Sequence, residues 1–287
     1  MKYLRYTFPV FGCALALAAL PVQAAEGTFD KTIKANGHIT LHIHCDNGAV
    51  HITAGPANQV RVFGQVKDLH PWGKKLDAQE TRLHDIAGNP PILRSGNIIS
   101  VGSMQENQHN IQIDYDIEAP ADATVDVFSG TGDIEDEGVG VDVHLNTSSG
   151  NIRATGLTGG FSIQTGSGNV IADGGGTGDV NIHSGTGSIE LHALTGGLKL
   201  VSGAGDVKVD GHPSAKWEIK ADSGSVEYWP NRAPMDLEAS TVAGSIHVDG
   251  TTETVHSDQD RHSLTAKLRG GGPPVHIETA SGEIRVH

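Results

Sequence analysis

The sequence predicts an all-β fold: a single-chain β-solenoid (β-helix) with 18–20 residues per coil, opened by an N-terminal β region with one short capping helix. Three observations carry this reading. A glycine followed by a small polar or acidic residue and then Ile or Val recurs at Gly132, Gly150, Gly168, Gly187, Gly205, Gly224, Gly244 and Gly282. The steps are 18, 18, 19, 18, 19, 20 and 38 residues, the last reading as two periods with one marker missing. A fixed period in this range marks units that bury their apolar faces only against one another. Second, the apolar positions around each marker alternate. Two residues after it stand Ile134, Ile152, Val170, Ile189, Val207, Val226, Ile246 and Ile284; five before it stand Val127, Leu145, Ile163, Ile182, Leu200, Ile219, Ala239 and Ile277. Period-two alternation means strands with one buried face, and its recurrence stacks like upon like. Third, no apolar repeat at three or four residues survives the glycines, which excludes helices over this half.

Taken in order, residues 1–24 read as a secretory signal peptide. Lys2 and Arg5 precede an apolar run from Phe8 to Leu20, and Val22-Gln23-Ala24 is a small-residue cleavage pattern. The run is too short for a membrane span. Residues 25–120 form the N-terminal β region and cap, with strands expected at Gly37 to Cys45, Ala49 to Ala54, Gln59 to Val66, Asn97 to Ser103 and Asn110 to Glu118. Asp46-Asn47-Gly48 reads as a hairpin between the first two. A helix is expected from Gly73 to Ile86, stopped by Gly88, Pro90 and Pro91. The solenoid repeats fill 121–287, with two short strands per coil joined at glycine-rich corners. Thr251 to Ser263 reads as an exposed polar excursion, Leu264 to Leu268 as a returning strand, and Glu283 to His287 as a last strand with no following segment to shield it. That open edge is either blunted by Arg285 and the terminus or is where a second copy docks.

Composition narrows the partners. The formal charge is −14, and removal of Lys2 and Arg5 takes it to −16. Nucleic acid and anionic lipid are therefore excluded as partners, since both need a basic patch. No later stretch is long and apolar enough for a membrane segment, so the processed chain is expected in the periplasm or secreted. Of two cysteines only Cys45 lies past the signal region, which removes any intrachain disulfide framework. Cys45 continues the alternation Leu41, Ile43 and reads as a core thiol.

The chemistry-bearing candidates are few, and no motif calls for a cofactor. His42 and His44 share a strand face, and the expected hairpin would bring His51 beside them, giving an imidazole set for zinc, copper or nickel. The alternative is a polar outer face. Glu218, Glu238 and Glu227 are the nearest approach to the carboxylate group that a carbohydrate-active enzyme on a β-helix would need. No outward row concentrates carboxylates, so a non-enzymatic chain is the leading expectation and the enzyme its alternative. Trp229 and Arg232, in Tyr228-Trp229-Pro230-Asn231-Arg232, read as a binding corner, with Tyr228 taken as core.

The stretch from Ala119-Pro120 onward resembles the bacterial putative adhesin family. The likeness rests on Ser-Gly-Thr-Gly-Asp-Ile at 129–134, Thr-Gly-Ser-Gly-Asn-Val at 165–170 and Ala-Ser-Gly-Glu-Ile-Arg-Val at 280–286. It covers roughly residues 35–287 and implies an exported β-helical domain of the cell envelope with no assigned activity and no catalytic residues to carry over. What it implies for function is an adhesin-like or interaction scaffold that binds a protein or a glycan.

Overall fold

The structure is a computed structural model that describes residues 26–69, 76–102, 111–174, 176, 178–249, 254–257 and 262–287. The expected signal peptide, the first residues of the expected helix and most of the polar excursion lie outside the described residues.

The chain opens with β1 (Glu26–Lys34), β2 (Thr40–Cys45), β3 (Val50–Gly55), β4 (Gln59–Asp68), α1 (Leu76–Gly88), β5 (Ile92–Ser95), β6 (Ile98–Val101) and β7 (Ile111–Pro120). Seven coils follow as strand pairs: β8 (Thr124–Ser129) with β9 (Ile134–Glu137), β10 (Asp142–Ser149) with β11 (Ile152–Leu157), β12 (Gly160–Ser167) with β13 (Val170–Gly174), β14 (Val180–Thr186) with β15 (Ile189–Leu194), β16 (Leu198–Ala204) with β17 (Val207–Gly211), β18 (Trp217–Ser223) with β19 (Val226–Trp229), and β20 (Met235–Ala243) with β21 (Ile246–Val248). After β22 (Thr254–Ser257) and β23 (Ser263–Leu268), β24 (Pro274–Ser281) and β25 (Ile284–Val286) make a final coil.

These strands form two facing sheets. Sheet I has 12 strands in the order β1-β4-β7-β3-β9-β11-β13-β15-β17-β19-β25-β21. Sheet II has 13, in the order β22-β23-β20-β24-β18-β16-β14-β12-β10-β8-β2-β6-β5. Setting aside antiparallel β1, β4, β5, β22 and β23 leaves ten parallel strands in each sheet, hence ten stacked coils. The β-solenoid expected from the period is what the chain forms. Ile163 and Ile182, two and one coils before β16, are buried between the sheets, as are the rows that contain them.

The marker glycines stand one above another. A Cβ on Gly187 would fall under 3.0 Å from the carbonyl oxygen of Gly168, one on Gly168 likewise from Gly150, and one on Gly150 from Gly132. Backbone approaches backbone there, so only hydrogen fits. Inside the same corner runs a column of small polar side chains. Thr147 and Thr165 donate hydroxyl hydrogens to the carbonyls of Gly132 and Gly150 at 3.2 and 3.4 Å. Cys45 occupies this column in the coil of β2 and β3, its Sγ 3.4 Å from the carbonyls of Gly48 and Ile113. Burial is the largest of the causes that push this thiol up to about 12, which leaves it protonated and unreactive.

Three sequence expectations are corrected here. Asp46-Asn47-Gly48 is no hairpin. It is a coil corner: β2 pairs with β6 and β8 in sheet II, and β3 with β7 and β9 in sheet I. Gly48 is an unrecognised first marker, with Gly132 stacked on its carbonyl. The 38-residue step contains no unmarked coil. It holds the β22–β23 hairpin, which lies antiparallel on β20 and turns the chain back. The returning segment enters the stack between coils already formed: β24 pairs with both β18 and β20, and β25 with both β19 and β21. Strand β25 is thus interior, and the outer parallel edge of sheet I at this end is β21, contrary to the expectation of an unshielded last strand.

The other end is arranged alike. The β2–β3 coil lies inside, between β6–β7 and β8–β9. Antiparallel β5 closes β6, β4 and β1 extend sheet I beyond β7, and α1 lies against β1 and β4 through Leu83. Arg61 on β4 spans to Asp30 on β1 at 2.7 Å and Glu118 on β7 at 3.3 Å, tying the cap to the stack. Antiparallel strands close sheet II at both ends and sheet I at the first, which is how open solenoids avoid edge-to-edge association, while β21 leaves sheet I a short parallel edge among the described residues. Strand β1 escaped the sequence reading because Phe29 and Ile33 are its only large apolar residues.

Candidate functional site

With the inner faces fully committed to the core, any functional chemistry falls on the two outer faces. The strand register fixes what stands beside what. On sheet II one outward track runs His42, Asp126, His144, Ser162, Asn181, Lys199, Glu218, His276 and Glu238. A parallel track runs His44, Phe128, Asn146, Gln164, His183, Val201, Lys220, Glu278 and Ser240. Sheet I presents mainly carboxylates, among them Asp116, Glu118, Glu135, Glu137, Asp173, Glu190, Asp210 and Glu227, against Arg153, Lys208 and Arg285. Among these named side chains negative charge exceeds positive, so this face of sheet I is acidic.

Three open troughs lie on these surfaces. One of about 310 Å³ crosses sheet II over Ser162, Gln164, Asn181, His183, Lys199 and Val201. One of about 320 Å³ crosses sheet I over Glu135, Asn151, Arg153 and Ile171. A third, of about 480 Å³, lies at the first corner beside Asn47, Gln112, Asp114 and Asp133.

The histidine set does not assemble. His42 and His44 face outward from sheet II, whereas His51 faces outward from sheet I, because the Asp46-Asn47-Gly48 corner carries the chain across to the other sheet. Each has its own carboxylate: His42 Nδ1 lies 3.1 Å from Asp126, His44 Nε2 3.0 Å from Asp46 and His51 Nδ1 3.2 Å from Asp116. Among the described residues no group of three or more His, Cys, Asp or Glu side chains is placed to hold a metal ion. The expected metal site at His42, His44 and His51 is corrected on this geometry.

The carboxylate candidates are likewise apart. His276 of the inserted coil stands between Glu218 and Glu238, its Nδ1 3.4 Å from Glu238. Hydrogen bonds from Lys220, then from Lys216, hold Glu218 below the usual carboxylate range, opposite to what a general acid needs. Glu227 is on the other sheet.

Tyr228 is core, as its row predicts: its hydroxyl donates to the Gly211 carbonyl at 3.4 Å, and its ring lies 5.3 Å from that of Trp217. Trp229 faces outward, stacked on His287 with ring centroids 4.7 Å apart and planes 6° off parallel. Beside it Asn231 donates to Asp210, and both Asn231 and Arg232 take positive φ, making a tight, exposed corner.

One titratable group escaped the sequence reading. Asp136 points into the core between Ile52 and Ala154 and is 0 % exposed. Its Oδ1 accepts from the Val139 N–H at 3.1 Å, while Oδ2 has no partner. Burial pushes its carboxyl up to about 7, the Val139 hydrogen bond opposing. Aligning the fourth residue after each marker would have exposed it, since that row otherwise reads Ala154, Ala172, Leu191, Val209, Tyr228, Val248 and Val286.

Core, corners and faces define a β-solenoid repeat protein with two flat outer sheets. Residues 94–287 match the Toastrack DUF4097 family, and the chain belongs to that family. No curated protein matches the sequence significantly. Among solved structures, one described as a putative adhesin from Bacteroides fragilis aligns at TM-score 0.35 and 14% identity, covering 91% of this chain and 97% of the other. One described as a putative cell adhesion protein from Clostridium sporogenes aligns at 0.32 and 13%, covering 91% and 98%. One described as a putative lipid binding protein from Parabacteroides distasonis aligns at 0.30 and 12%, covering 91% and 97%. At such scores these likenesses carry no functional weight. Among the described residues no helix is long and apolar enough to cross a membrane.

Proposed function

We propose that this chain is an exported, non-enzymatic interaction scaffold of the bacterial envelope, adhesin-like in use, whose outer faces hold a protein or a glycan. The observation that supports the reading best is the contrast between a repetitive, predominantly apolar interior and outer tracks that change character from coil to coil. A surface of that kind presents many different side chains at fixed spacing on a rigid support. The nearest carboxylates to a hydrolytic pair, Glu218 and Glu238, are separated by His276, and Glu218 is paired with Lys216 and Lys220, which favours binding over turnover. The exposed corner at Trp229 and Arg232 is a second contact point, with Trp229 held by His287. In this reading residues 1–24 are removed on export, and the processed protein works in the periplasm or outside the cell. Self-association, if it contributes, would use the short β21 edge.

The test is to immobilise the processed protein and screen solubilised envelope proteins alongside a glycan array. Saturable binding of a defined component is the expected result. Absence of any partner in both screens, or release of a sugar product from envelope polysaccharide detected by mass spectrometry, would overturn it.

A further inference from the structure

We infer that the middle of the sheet II outer face is a binding track for an uncharged glycan chain laid along the solenoid axis. This rests on the scaffold reading above and names its ligand.

Over β12 and β14 the outward side chains are Ser162, Gln164, Asn181 and His183, with no fixed charge, in a chain whose formal charge is −14. Their hydrogen-bonding capacity is unspent. Ser162, Asn181 and His183 make no side-chain hydrogen bond with the described residues, and Gln164 only accepts a long one from Asn146 at 3.4 Å. Farther along the face the outward groups are spent on one another: His42 is taken by Asp126, Glu218 by Lys216 and Lys220, and Glu238 by His276. Of the adjacent coils, β10 presents His144, 3.4 Å from Asp142, and β16 presents Lys199, a positive charge that borders the track beside Asn181. Amides supply donors and acceptors together, which is what a run of sugar hydroxyls requires. Successive coils repeat them at about 4.8 Å, close to the advance of one sugar in an extended chain.

The track has an apolar end. Phe128 is 37% exposed, one coil beyond Asn146, with the His44 ring stacked behind it at 4.9 Å and 7°. A rigid aromatic face of this kind accepts the C–H face of a pyranose ring. The trough of about 310 Å³ over Ser162, Gln164, Asn181 and His183, bordered by Lys199 and Val201 of the next coil, supplies the relief between. Anionic polymers are disfavoured by the overall charge, and a cationic partner would be drawn to sheet I instead. An extended peptide gains most from pairing with a free strand edge, whereas β12 and β14 have both edges bonded within the sheet.

The experiment uses the full processed chain, with cellohexaose, chitohexaose, maltohexaose and mannohexaose as probes and hexagalacturonate as the charged comparison, read by isothermal calorimetry. At least one uncharged hexasaccharide should bind. The double variant Gln164→Ala, Asn181→Ala should weaken it about tenfold or more, and Phe128→Ser should weaken it too. Glu190→Gln, on sheet I, should leave it unchanged. Circular dichroism of each variant separates lost contact from lost fold, both substituted amides being exposed. Binding that is indifferent to the double variant, preference for hexagalacturonate, or no uncharged binder at millimolar concentration would overturn the inference. In the last case a defined protein ligand on the same chain would leave the scaffold reading standing.

Discussion

From β10–β11 through β18–β19 every coil rests on the one before it in sequence, whereas at both ends the coil order in space departs from the order in the chain. Both regions nevertheless use one joint. In the middle Gly187 stacks on the Gly168 carbonyl, and at the end Gly282 stacks on that of Gly224, 58 positions away in sequence, with Gly244 in turn on Gly282. The difference teaches that the glycine period is a code for register and says nothing about succession. Any coil with a marker glycine, a small polar residue three positions earlier and the two inner rows can sit on any other. What decides the neighbour is the connection: a tight corner passes the chain to the adjacent level, and the β22–β23 hairpin sends it back to a vacant one.

The largest effect should come from the joint itself. Gly187→Ala and Gly282→Ala each force a Cβ against a backbone carbonyl, at φ of 124° and 154°. Each should cost more than about 3 kcal/mol of unfolding free energy in urea titration, or prevent folding. Gly37→Ala, with φ of 77° but open space, should cost only about 1 kcal/mol. If Gly282 proved as tolerant as Gly37, the end joint would differ in kind from the middle one.

Next comes Asp136, a polar intruder in the regular region. Its folded pKa of about 7 lies above the value of roughly 3.9 expected in the unfolded chain. Between those values the folded protein retains a proton that the unfolded chain has lost. Stability should therefore fall as pH rises from about 4 to 7 and then level off. Asp136→Asn keeps an acceptor for Val139 and removes the titration. It should match the parent near pH 4 and exceed it at pH 8 by roughly 2–4 kcal/mol. Parallel pH profiles for the two proteins would show that the carboxyl is not the source. The smallest effect is expected at Val242, 79% exposed at a corner of β20, where Val242→Ser should stay within about 0.5 kcal/mol.

Much of the fold was legible because alternation and glycine spacing are local. The inner rows at Ile163 and Ile182, the core Tyr228, the strand at Leu264 and the helix ending near Gly88 could all be read that way. Stacking order was not legible, since the hydrogen bonds that set it join residues far apart in the chain. Gly48 was overlooked because Ala49 replaces the polar residue that follows most markers, and the turn residues Asp46 and Asn47 suit a hairpin as well as a corner. The histidine candidates failed on the same point, one corner deciding whether His51 shared a face with His42. The amides of Gln164 and Asn181 drew no notice in the sequence, because their significance lies in unspent hydrogen bonds, which only the side-chain positions of neighbouring coils reveal.

The inserted coil has a consequence for how the rod is completed. With β20–β21 at its observed level and the inserted coil not yet in place, β20–β21 would stand about 9.6 Å above β18–β19, two rung heights, with nothing to bond across the gap. Residues 274–287 act as a keystone: the upper level and its antiparallel lid become load-sharing parts of the sheet only when this segment slides home. A single proteolytic cut in the described turn before it, at Gly270 to Pro273, would not trim an end. It would unlock a wall from within.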